Sequence, residues 1–132
     1  MIVLHISDEP VSRREKIGHR RLIDVRKKQK ERIALEIISQ YRGELLDEPL
    51  FVQYDFYLKI PEAIPKYRKT LMELGHERPI KRPDCSNLIK LIEDVMTGII
   101  YVDDCLIVSG QFHKYWSHHP HSTITIKALS EV

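Results

Sequence analysis

Between Arg82 and Asp104, in the stretch RPDCSNLIKLIEDVMTGIIYVDD, four aspartates (Asp84, Asp94, Asp103 and Asp104) stand close to Asn87 and Lys90. Carboxylates brought together from a loop, a helix and the approach to a strand are the usual way of holding a hard divalent ion. Magnesium takes one or two carboxylates, keeps several waters and completes its shell with substrate phosphate oxygens, so oxygen ligands from separate elements suit it better than a single acidic run. Manganese, another oxygen-preferring ion, is expected to substitute. A lysine beside such a centre would neutralise charge on a phosphate.

These side chains need a frame. Ser86 to Thr97 places Leu88, Leu91, Ile92 and Val95 at core spacing, with Asp84 or Ser86 as N-cap and Gly98 as the stop, which predicts a helix. On it, Asn87, Lys90 and Asp94 share one polar face, where Lys90 and Asp94 are also spaced to pair. Upstream, Pro61 and Pro65 break the chain and Lys66 to Leu74 reads as a short basic helix stopped by Gly75. Pro79 and Pro83 then force an extended approach, and the whole segment is expected to be a mobile flap. Downstream, the apolar run Ile99 to Val102 leads into Asp103 and Asp104. Leu106 to Tyr115 reads as a strand, which puts Asp104 at a strand edge. Trp116 to Pro120 is expected to turn the chain, with Trp116 a dimer contact, before Thr123 to Ala128 alternates as a last strand.

The first half supplies the remaining frame. Ile2 to Ile6 is a short β-branched strand, and Pro10 to Arg21 reads as a flexible basic loop. Asp24 is placed to cap a helix whose stripe Ile33, Ala34, Ile37, Ile38 and Tyr41 ends at Gly43. Leu50 to Ile60 alternates Val52, Tyr54, Phe56, Leu58 and Ile60 against Gln53, Asp55, Tyr57 and Lys59, so its aromatics are expected to pack within the sheet rather than stack on bases. The order β-α-β-(flap)-α-β-β describes an α/β (α+β) fold, a small mixed sheet with two main helices, as one domain over residues 1–132.

Charge is unevenly distributed. The net formal charge is only +2, yet from Arg13 to Arg32 ten Lys or Arg face Glu15, Asp24 and Glu31. A basic segment set apart from an acidic cluster is the footprint of metal chemistry on a polyanion, although a solvated helix face has the same composition. No apolar run approaches the roughly 18 residues of a membrane span, and no leader pattern opens the chain, so a soluble cytoplasmic protein is expected. Cys85 and Cys105 each adjoin a carboxylate and are expected to be reduced. His113, His118, His119 and His121 lack the spacing of a zinc site, and the loop that holds the last three reads as a polar turn.

RPDCSNLIKLIEDVMTGIIYVDDCLI resembles the signature of the RusA-type Holliday junction resolvases of bacteria and their phages. That signature runs Pro-Asp-x-Asp-Asn-Leu-x-Lys, then an Asp-containing helix ending in Gly, then an Asp-Asp pair before a strand. EPVSRREKIGHRR, the Ile60-Pro61 strand end and FHKYWSHHPHSTITI are similar to other parts of the family pattern, so the resemblance spans nearly the whole chain. It implies a RusA-like fold and a homodimer that nicks four-way DNA junctions in recombination and repair by Mg²⁺-dependent phosphodiester hydrolysis. It further implies that Asp84 and Asp104 are metal ligands, that Lys90 is the catalytic lysine, and that Asn87 and Asp94 occupy further motif positions.

One position departs from the pattern: Ser86 stands where the family most often has a second aspartate. Three readings stand: Asp103 or Asp94 compensates, Ser86 itself is a weak ligand, or Ser86 only caps the helix. An alternative function follows, a branched-DNA-binding protein with reduced or lost cleavage. Under either function the grip on DNA is expected from Arg13, Arg14, Lys16, Arg20, Arg21, Lys27 and Lys28. Lys66, Arg68 and Lys69 of the flap, and Lys114, are expected to add to it.

Overall fold

Alternation in Leu50–Lys59 produces the strand on which the molecule is built. In a computed structural model of the chain, which describes residues 1–11 and 19–132 and only the backbone of residues 19–25, this strand (β2) pairs on both sides. It runs antiparallel to His121–Ala128 (β4) and parallel to Ile107–Ser117 (β3). Ile2–Ile6 (β1) adds antiparallel to β4, giving a four-stranded mixed sheet in the order β1-β4-β2-β3. The parallel β2–β3 pair requires a crossover, and the two helical segments between them supply it.

The helices are His19–Gln40 (α1), Lys66–Glu73 (α2) and Cys85–Met96 (α3). One core joins Ile33 and Ile37 of α1 and Leu88, Ile92, Val95 and Met96 of α3 to Leu4, Ile6, Val52, Tyr54, Phe56, Ile124 and Ile126 of the strands. Tyr54 and Phe56 are thus core residues, while Tyr57 on the other face stacks on Tyr115 and His121. Polar residues of α1 also hold the outer strand. The Gln40 side-chain amide accepts from the His5 N–H (2.7 Å) and donates to the His5 carbonyl (2.6 Å), and the Glu36 carboxylate accepts from the Ser7 N–H (2.9 Å). An edge strand otherwise presents unpaired backbone groups.

Several boundaries differ from expectation. The first helix begins at His19, so Asp24 lies within it and does not cap it; the run HRRLI that precedes Asp24 holds neither Gly nor Pro to stop a helix. Arg20 and Arg21 therefore sit on helical backbone rather than in a loop. Arg13, Arg14 and Lys16 lie outside the described residues. Trp116 is in β3, half-buried against the core, and the turn comes after Ser117. The run Ile99 to Val102 is a tight turn that buries Ile100 and Tyr101, entered through Gly98 at φ +84°, a backbone region open to glycine. Asp104 opens a single 3₁₀ turn, Asp104–Leu106, just ahead of β3.

The expected flap contains the short helix α2 and is tied to β3 and to the turn that follows it. The Glu73 carboxylate accepts from the His118 N–H at 3.0 Å, and Arg78 donates to the Lys114 carbonyl at 3.2 Å while lying 4.2 Å over the Tyr115 ring. Among the described residues no helix is long and apolar enough to cross a membrane.

Candidate active site

Asp84 occupies the N-cap position of α3 in extended backbone (φ −74°, ψ 143°), but its carboxylate makes no capping hydrogen bond. An aspartate there normally binds a free N–H of the first turn. Instead Asp84 Oδ2 accepts from the Asn87 side chain at 3.4 Å, and the carboxylate stays exposed and free to take another partner. Ser86 is exposed on the first turn.

Further along α3, Lys90 Nζ lies 3.3 Å from Asp94 Oδ1, and Lys30 Nζ of α1 reaches the other oxygen at 3.4 Å. Asp94 thus serves as a bridge between α3 and α1, at a groove lined by Arg26, Lys27, Lys30 and Glu31. Lys90 is only loosely held, with its side chain two-thirds exposed at 67%. Exposed pairs of this kind contribute little to stability, so the ammonium can turn toward a phosphate at small cost.

Glu93 is the residue that sequence reasoning missed. It accepts a hydrogen bond from the Tyr54 hydroxyl at 3.2 Å, and the Tyr101 hydroxyl donates to its backbone carbonyl at 3.2 Å. Burial pushes its carboxyl above the ordinary glutamate range; the Tyr54 bond opposes this, the negative charges of Asp104 and Asp94 add to it, and Lys90 counters them. Asp104 also acts on both tyrosines, whose hydroxyls are driven upward first by burial and so remain donors. Glu93 is thus tied to Tyr54 and Tyr101 by hydrogen bonds, and the charges of Asp104, Lys90 and Asp94 act on it. The signal was available, because Ser86, Lys90 and Glu93 follow the i, i+4, i+7 spacing of one helical stripe.

Asp103 has another task. Its Oδ1 accepts from the Cys105 N–H at 3.3 Å, capping the 3₁₀ turn that carries Asp104, and that bond holds its carboxyl below the usual range. The histidines are also engaged: His118 lies beside Glu73, and the ring Nδ1 of His121 is 2.6 Å from the His119 carbonyl. Cys85 and Cys105 are not bridged, and both thiols are pushed up, chiefly by desolvation.

Among the described residues, no three His, Cys, Asp or Glu side chains gather into a group able to hold a metal ion. Asp84, exposed, and Asp104, half-buried, each offer carboxylate oxygens. That donor set fits a hard ion such as magnesium, which keeps most of its waters, and does not fit zinc or another ion that prefers nitrogen and sulfur.

The basic residues divide. Arg26, Lys27 and Lys28 are exposed on α1, as is Lys66 on α2, with Lys69 half-buried. Arg68 is committed to Glu77 by a forked contact (2.6 and 3.1 Å). Lys114 points inward, donating to the carbonyls of Lys81 (2.9 Å) and Pro83 (3.1 Å).

Two comparisons with known proteins bear on this arrangement. The family described as endodeoxyribonuclease RusA matches residues 9–127, a span that includes every residue of the site. The chain is also similar to an uncharacterized protein, YqaN, of Bacillus subtilis strain 168. The two are 30% identical over 104 residues, covering 76% of this chain and 72% of the relative.

Proposed function

Because this chain belongs to the RusA family of metal-dependent endodeoxyribonucleases, which act on branched DNA junctions, we propose that it nicks four-way junctions with the help of Mg²⁺ bound at Asp84 and Asp104. The observation that supports the proposal is that Asp84 stands at the N-cap of α3 with no capping bond and an exposed carboxylate, while Lys90 on the same helix has a largely exposed ammonium held only by an exposed ion pair. A bound magnesium ion would supply polarisation of the scissile phosphate and a lowered pKa for its water. The protein's own part is positional and electrostatic. Lys90 leaves Asp94 to neutralise charge that develops on the phosphate oxygens, Asp103 fixes the turn that presents Asp104, and Asn87 orients the Asp84 carboxylate. Exposed lysines and arginines of α1, with Lys66 of α2, bind duplex arms through phosphates and give a steep salt dependence. A homodimer suits the substrate, since an isologous pair offers two equivalent sites to symmetry-related strands.

A second reading rests on Ser86 and on the absence of a three-carboxylate group among the described residues: tight junction binding without cutting. The discriminating experiment incubates wild type and Ser86→Asp with a synthetic four-way junction and with a linear duplex of the same sequence, each with Mg²⁺ and with EDTA. The resolvase reading expects wild type to nick the junction only when Mg²⁺ is present and to spare the duplex. Binding without nicking, with cleavage gained in Ser86→Asp, would establish the second reading.

A further inference from the structure

Lys114 was expected to touch DNA, yet its ammonium is turned into the protein and bound to two backbone carbonyls, Lys81 O at 2.9 Å and Pro83 O at 3.1 Å. We infer that Lys114 is a positioning residue for the Asp84 carboxylate, holding the segment before α3 against β3. The inference rests on the assignment of Asp84 to the active site.

The geometry gives a direct route from one residue to the other. The Pro83 carbonyl belongs to the peptide plane whose other end is the Asp84 nitrogen. Peptide planes are rigid, and the ring of Pro83 fixes its own φ. A bond to that oxygen therefore fixes the direction in which the Asp84 Cα leaves the loop. On the far side, the Asp84 carbonyl accepts from the Leu88 N–H at 3.2 Å as α3 begins, so Asp84 is held from both ends of its backbone.

The strand that carries Lys114 is itself pinned to the same loop. Arg78 donates to the Lys114 carbonyl and covers the Tyr115 ring, while Pro79 and Pro83 are buried. Four links thus join the segment from Arg78 to Pro83 to two adjacent residues of β3. An ammonium has no acceptor capacity and three donors. With two spent on carbonyls, Lys114 has little left for a phosphate.

The test uses the full chain with Lys114→Met and Lys114→Arg. A DNA contact and a positioning residue make opposite predictions. If Lys114 contacted phosphate, Lys114→Met would weaken junction binding and lower the slope of log K against log salt by about 0.9, and Lys114→Arg would behave as wild type. As a positioning residue, Lys114→Met keeps the wild-type junction affinity and salt slope. It loses about 10- to 100-fold in single-turnover nicking, the scale expected for an ångström-sized misplacement of a reacting group. Lys114→Arg, which keeps the charge, also loses nicking, because a planar fork cannot replace one ammonium that meets two carbonyls.

Amide hydrogen exchange at residues 82–86 and Mn²⁺ binding without DNA provide readouts independent of activity. Faster exchange and weaker Mn²⁺ binding in Lys114→Met are expected. If wild type fails to nick any junction, the assignment of function falls while these two measurements still decide the role of Lys114. Unchanged exchange with reduced junction affinity would overturn the inference. Should Lys114→Met not fold, Lys114→Arg decides: wild-type exchange and nicking would contradict the inference, and faster exchange with wild-type junction affinity would support it.

Discussion

At the scale of single residues, the active stretch was legible where chemistry requires a side-chain type and obscure where it requires a neighbour. Asp84, Lys90 and Asp104 stand out in sequence as candidates because carboxylates and a lysine there could hold a hard ion beside a phosphate, while helix caps and surface ion pairs use the same residue types. Glu93 did not, because its meaning depends on Tyr54, which comes from a strand 39 residues away in the chain. Nor could the sequence say that Asp94 would be shared between Lys90 and Lys30, or that Asp103 would cap a turn. The raised carboxyl of Glu93 gives a signed prediction. A carboxyl whose value is higher folded than unfolded binds more protons in the native state, so it adds nothing below the ordinary glutamate range near pH ~4.3 and lowers stability as pH rises through the folded value. Glu93→Gln keeps an acceptor for the Tyr54 hydroxyl and removes the buried charge. The thermal midpoint of this variant relative to wild type is expected to rise from about pH 4 toward neutrality and then level off. A difference that is flat with pH, or that falls, would show that Glu93 is not held in the environment described.

At the scale of elements, alternation and helical stripes located every strand and α-helix of the described chain to within a few residues, apart from the early start of α1, and missed the short 3₁₀ turns. Strands β2 and β4 were the plainest, because each has one face in the core and a period-2 pattern leaves little choice. What pattern reading cannot supply is the set of polar contacts that fix one element against another, such as Gln40 on the edge of β1 or Lys114 on the loop before α3. The first of these is testable alone. Gln40→Leu removes an acceptor and a donor from His5 at a strand edge, and at about 1 kcal/mol for each hydrogen bond the loss is expected to be about 1–2 kcal/mol. In urea unfolding this appears as a lower midpoint with an unchanged slope. An unchanged midpoint would mean that water replaces the amide without cost and that β1 is held by Leu4 and Ile6 alone.

At the scale of the whole molecule, one core unites the sheet with α1 and α3, and the polar face of α3 is left exposed beside the basic residues of α1. That separation leaves a buried scaffold under an exposed face of mixed acidic and basic residues. The layered architecture was readable from the order of elements, whereas the contact of Glu93 with Tyr54 depends on how α3 lies across β2, which has no signature in sequence. The central claim is that Asp84 and Asp104 form one hydrolytic site for branched DNA. Its most direct test is the single-turnover rate of nicking of a four-way junction in Mg²⁺ by wild type, Asp84→Asn and Asp104→Asn, with junction binding measured in parallel. Each substitution removes one carboxylate charge with little change of shape, so the account predicts that both variants bind the junction at least as well as wild type and nick it at least about 100-fold more slowly, as for loss of a group that acts in the transition state. Nicking at the wild-type rate by either variant would contradict it.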